Sequence, residues 1–89
     1  MQIEWRPEAR AELLRIIDYM ADRNLAAAIE LNNAIETVTS ALSEHPYLYR
    51  FGRVPNTREI VVHPNYLVVY RVSDRIDILA VLHARQKYA

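Results

Sequence analysis

Cysteine is absent from this sequence, and glycine, lysine, tryptophan and phenylalanine occur once each. The lack of cysteine excludes disulfide staples and zinc–thiolate sites and suits a reducing cytosol. One glycine, four prolines and no internal period exclude a repeat or linker-rich architecture. Long apolar runs are also missing: stretches such as YLVVY are far too short to span a bilayer. The opening MQIEWRPEAR carries charge where a signal peptide would carry an apolar segment, so a cytoplasmic chain without membrane contact is expected. The three histidines, 45, 63 and 83, are widely spaced and show no ligand pattern, so neither a metal nor another cofactor is expected. No Ser/His/Asp arrangement, glycine-rich phosphate loop or paired-carboxylate site is visible.

What is present describes one small globular domain spanning residues 1–89, with 52% hydrophobic and 25% charged residues. The formal net charge of zero hides an asymmetry. Residues 1–45 carry four basic and eight acidic residues, a net −4, whereas residues 46–89 carry seven basic and three acidic, a net +4. Ten of the eleven cations are arginine, whose planar fork suits carboxylate or phosphate better than lysine does. Either fold-level charge balancing or an anionic partner for the second half accounts for the split.

MQIEW alternates, with Ile3 and Trp5 on one side, and reads as a strand. Pro7 suits the first position of a helix, with Glu8 in its first turn. Ala9, Leu13, Ile16, Ile17 and Met20 recur at helical spacing, predicting an amphipathic helix over 7–22. Asn24 is a candidate N-cap for a second helix, with Ala28, Leu31, Ile35, Val38 and Leu42 on its buried stripe and Pro46 beyond its end. The short link makes the helices an antiparallel hairpin. PYLYRFGRVPNT then reads as a surface loop, followed by three strands, REIVV, YLVVYRV and IDILAVLH, joined by turns short enough for an antiparallel meander. The expected class is α+β: an N-terminal strand at one edge of the sheet, a helical hairpin, and a three-stranded meander with both helices on one face.

Strict alternation puts Tyr66, Val68, Tyr70 and Val72 opposite Leu67, Val69 and Arg71. In the last strand it sets Ile76, Ile78, Ala80 and Leu82 against Asp77, Leu79, Val81 and His83. Both sheet faces are then apolar, and two helices cover only one, so the other calls for a partner or for a loop of the chain itself. Arg75 is expected to pair locally with Asp74 or Asp77, and Arg71 with Glu59. That leaves Arg53, Arg58, Arg85 and Lys87, which converge only if the loop and the C-terminus share one end of the sheet. His83 ends a strand two residues before Arg85. Its imidazole either caps the strand or passes a proton beside arginines that stabilise a phosphorane-like transition state, with Tyr88 adding a hydroxyl or a stacking face.

GRVPNTREIVVHPNYLVVYRV and IDILAVLHARQKY, after a strand and a helical hairpin holding Leu13, Ile16 or Ile17, and Tyr19, resemble the ParE/RelE superfamily of bacterial type II toxins. The resemblance runs nearly the full chain. Its departures are Arg6, where a small capping residue is common, and Ala89, where proline often follows the aromatic. The resemblance implies one of two targets. RelE-like members cut mRNA on the ribosome, for which this chain offers Arg58, Arg71, His83, Arg85 and Tyr88 as site residues, the last three as catalysts. ParE-like members poison DNA gyrase without chemistry. The only lysine is Lys87, and the pattern GR…TRE…VVYRV…VLH.RQ is closer to the ParE-like branch. The implied partner is an antitoxin with an acidic, amphipathic C-terminal segment, which Arg53, Arg58, Arg71, Arg85 and Lys87 would meet or share with the target. Homodimers, hetero-oligomers with antitoxin, and an inactive dimerising module remain open on this reading.

Overall fold

The computed structural model describes residues 1–86; Lys87 and Tyr88 lie outside them. The chain forms β1 (Ile3–Trp5), α1 (Pro7–Ala21), α2 (Leu25–Ala41), β2 (Arg58–His63), β3 (Tyr66–Val72) and β4 (Ile76–His83). The strands make one sheet in the order β1-β4-β3-β2. The meander pairs antiparallel, while β1 pairs parallel with β4 from Ile3↔Ile76 to Trp5↔Ile78. A parallel pair needs a long crossover, which the helical hairpin and β2–β3 together provide.

Each helix begins and ends for a local reason. Arg6 occupies the N-cap of α1 without a side-chain cap, and Pro7 follows it at the start of the helix. The Arg6 N–H instead donates to the Ile78 carbonyl at 3.0 Å, which fastens the helix entrance to β4. Three residues after α1 ends, Asn24 caps α2, its Oδ1 accepting from the Ala27 N–H at 3.0 Å. Arg10 of α1 faces Glu36 of α2 at 3.8 Å, as antiparallel packing requires. Thr39 joins the buried stripe of α2, and its hydroxyl donates back to the Ile35 carbonyl at 2.7 Å, so no polar group is stranded.

The helices cover one sheet face. Ala9, Leu13, Leu31, Ile35 and Leu42 pack there on Ile60, Val68, Tyr70, Ile76, Ile78 and Val81. Fully burying an aliphatic side chain of this size stabilises by about 1.5–3 kcal/mol, so this face holds most of the apolar driving force. The opposite face carries a smaller cluster of Leu67, Val69 and Leu82, with Leu79, Ala80 and Ala84 against it.

One expectation is corrected here. Strict alternation fails in β4: Tyr70 pairs with Ile78 and Val69 with Ala80, leaving Leu79 as the extra residue of a β-bulge. Ile76 and Ile78 therefore share the helix face with Val81, while Ala80 and Leu82 turn to the other. On the second face, the loop of the chain itself, one of the two expected covers, is the one found. Leu67, Val69 and Leu82 are buried within the chain itself, and the polar contacts described below tie its own loop and C-terminal turn across that side.

Candidate functional site

At one end of the sheet, β4 finishes with His83 directly across from Tyr66 on β3. The Tyr66 ring stands between two imidazoles, with centroids 5.5 Å from His63 and 5.5 Å from His83. Both histidines use Nδ1 in the same way: His63 accepts from the Asn65 N–H at 3.0 Å, and His83 from the Arg85 N–H at 3.2 Å. An Nδ1 that accepts leaves the neutral ring's proton on Nε2. His83 thus braces the turn that follows β4, where the Gln86 N–H also returns to the His83 carbonyl at 2.9 Å.

Beside this end lies a cleft of about 300 Å³ between α1 and β4, lined by Glu12, Arg15, Ile16, Tyr66, Val81, His83 and Gln86. It exists because β1 pairs with β4 only as far as Ile78. Beyond that point the outer edge of β4 has no strand beside it, and Glu12 substitutes, its Oε1 accepting the Val81 N–H at 3.2 Å. A carboxylate on an edge amide blocks casual strand pairing there. Glu12, Arg15 and Tyr66 were not foreseen as site residues. The signal was faint: Glu12 and Arg15 border the apolar stripe next to Leu13 and Ile16, and Tyr66 read as core.

Glu59 organises the second face. Its carboxylate, 3% exposed, receives Arg50 at 3.3 Å, the Arg53 guanidinium at 3.6 Å and the Arg53 backbone N–H at 3.0 Å. Arg53 then reaches across to the C-terminal turn, donating to the Ala84 carbonyl at 3.3 Å and the Gln86 carbonyl at 3.1 Å. Gly52 permits this closeness, since a Cβ there would stand 2.5 Å from Thr57 Oγ1 and 3.2 Å from Glu59 Cγ. The expected Arg71–Glu59 pair does not form: Arg71 sits opposite Asp77 and pairs with it at 3.4 Å, sharing it with Arg75 at 2.9 Å. The register decides this, because Glu59 lies across from Val69 and not from Arg71.

The sequence-derived site residues therefore divide. Arg53 joins the turn that carries the exposed Arg85, near His83. Arg58 starts β2 at the far end, where it donates to the Tyr49 carbonyl at 2.6 Å and lies over the Phe51 and Tyr47 rings at 4.2 and 5.2 Å. Arg71 stays with Asp77. Among the described residues, no group of three or more His, Asp or Glu side chains gathers as for a metal ion, and no helix is long and apolar enough to cross a membrane.

A strand, a helical hairpin and an antiparallel meander, closed by arginine–carboxylate contacts, make this a small α+β fold. The family model described as "ParE toxin of type II toxin-antitoxin system, parDE" matches residues 3–88, and the chain belongs to that family. It is a toxin of a type II toxin–antitoxin system, and the family implies an antitoxin partner. Y4kP of Sinorhizobium fredii, a protein named as a toxin, is 35% identical over 98% of this chain and 92% of its own length. Toxin RelE2 of Caulobacter vibrioides is 32% identical over 93% of this chain and 94% of its own. A solved chain from a chromosomal ParDE system of P. aeruginosa superposes with a TM-score of 0.80 at 22% identity, covering 93% of this chain and 95% of that one. That last likeness concerns the fold alone.

Proposed function

We propose that this toxin arrests growth by binding DNA gyrase and blocking replication, with no chemistry of its own, and that it does so in the cytoplasm. The observation that carries this reading is the distance of Arg58 and Arg71 from His83. Arg58 pairs with Tyr70, and Arg71 follows it on β3. From Tyr66, the partner of His83, to Tyr70 is four residues, about 13 Å along the strand. Both guanidiniums are moreover committed to partners at that end. Phosphodiester cleavage needs a proton carrier and charge-stabilising cations converging within hydrogen-bond reach of one phosphate. His83 with Arg58 and Arg71 does not make such a group.

An antitoxin segment that is acidic and amphipathic fits the α1–β4 cleft, where apolar Ile16 and Val81 lie beside the Arg15 cation. Arg85 and Lys87 follow on as contacts for the antitoxin or the target. The ribosome-dependent nuclease remains the rival reading, with His83, Arg85 and Tyr88 as its catalysts. Controlled expression without antitoxin, with DNA and protein synthesis followed separately by label incorporation, tests the two. DNA synthesis falling first, with filamenting cells, is the expected result. Translation stopping first overturns the gyrase reading, and arrest of neither identifies an inactive binding module.

A further inference from the structure

The loop between α2 and β2 holds three large apolar side chains out in solvent within five residues: Tyr47 is 63% exposed, Leu48 68% and Phe51 74%. This is not a slack segment. Arg50–Gly52 pairs with Thr57–Glu59 through Gly52 N–H to the Thr57 carbonyl at 2.8 Å and Glu59 N–H to the Arg50 carbonyl at 3.1 Å, so Phe51 stands opposite Arg58. The Arg58 guanidinium is fixed by the Tyr49 and Tyr47 carbonyls and lies against the Tyr47 and Phe51 rings. Thr57 Oγ1 donates to the Val54 carbonyl at 2.6 Å, and the Tyr70 hydroxyl donates to the Pro46 carbonyl at 2.8 Å. The rings are thus pre-positioned, with a shallow recess of about 150 Å³ between Tyr47, Phe51, Arg58 and Val72.

We propose that the Tyr47–Arg58 loop is the surface with which this toxin grips its target, a folded protein presenting an apolar pocket bordered by carboxylates. The inference rests on the reading that the toxin works by binding a protein. Exposed aromatics beside arginine are the composition of interface hot spots, and such side chains act by filling a partner's pocket. Holding them rigid lowers the ordering cost on association. The charge is complementary to acid: Arg50, Arg53 and Arg58 belong to the loop, which has no carboxylate of its own, and the neighbouring Glu59 is buried. A disordered antitoxin segment gains more in a concavity, and the α1–β4 cleft provides one.

The test compares Phe51→Ala, Tyr47→Ala and the double variant with the wild-type chain. Growth arrest is read against toxin level, and affinity for the cognate antitoxin and thermal unfolding are measured on the purified chains. The expected result is at least a tenfold rise in the toxin level needed for arrest, with antitoxin affinity and unfolding temperature unchanged, since these side chains are exposed. Full potency in the double variant overturns the loop assignment alone, leaving the gyrase reading standing. Equal loss of antitoxin affinity also overturns it, by making the loop an antitoxin site. A wild-type chain that stops translation before DNA synthesis overturns the gyrase reading and the protein target with it. A wild-type chain that arrests nothing overturns both.

Discussion

The two faces of the sheet are closed by different physics. Under the helices, Tyr70, Ile76, Ile78 and Val81 meet Ala9, Leu13 and Ile35 in an apolar layer whose one phenolic hydroxyl is satisfied by Pro46. On the other side, three aliphatic residues are flanked by two acids, Glu59 and Asp77, each holding two arginines. Apolar burial is indifferent to pH and salt near neutrality, whereas half-exposed ion pairs are screened. The first face therefore sets global stability. The second sets the order of the C-terminal turn and of the loop proposed to meet the target. That division predicts which substitutions unfold the protein and which merely loosen it.

The largest effect belongs to Ile78→Ala on the helix face, expected to cost about 2–5 kcal/mol in urea unfolding. A loss no greater than that of the second-face variants would erase the contrast. Next comes Gly52→Ala, where the new Cβ meets Thr57 and Glu59; the cost is about 1–3 kcal/mol. Hydrogen exchange sharpens this case, because the Arg85 and Gln86 amides should lose protection together with the loop if Arg53 couples them. Glu59→Gln is smaller, about 1–2 kcal/mol once the exposure of its arginines is discounted. It should quicken exchange at the same two amides while leaving helix amides untouched. Asp77→Asn is smaller still, below about 1 kcal/mol, and should vanish in high salt.

At neutral pH the weakest signature is that of Tyr70, and it appears only in alkali. Burial raises its phenol above the ordinary 10.0, opposed by the Arg58 charge and a backbone hydrogen bond from Tyr49. The folded state thus holds the proton more tightly than the unfolded chain. Its contribution is complete below pH 10.0 and is lost as pH rises through the raised value. Unfolding free energy measured from about pH 9 upward should fall, and Tyr70→Phe should flatten that slope.

Much of this was readable along the chain. Periodicity located both helices, Asn24 announced the second, and the turns around Pro64 and Asp74 separated the strands. The pairing of Arg71 was not, because an arginine on a strand faces whichever acid the register brings across, and register is a property of two strands. Glu59 looked like an ordinary strand acid until Gly52 let the loop come down on it. The site-bearing parts were the least legible. Glu12 caps an edge that exists only because β1 is three residues long, and the rings of Tyr47 and Phe51 are held outward by an arginine seven to eleven positions away.

By itself the sequence determined the element order, the helical hairpin, the apolar layer beneath it and the charge split between the halves, since these depend on local spacing and composition. Tertiary structure alone decided which face each β4 side chain took. One bulge at Leu79 reverses the alternation, because a strand's period is two residues and a single extra one moves everything after it to the other side.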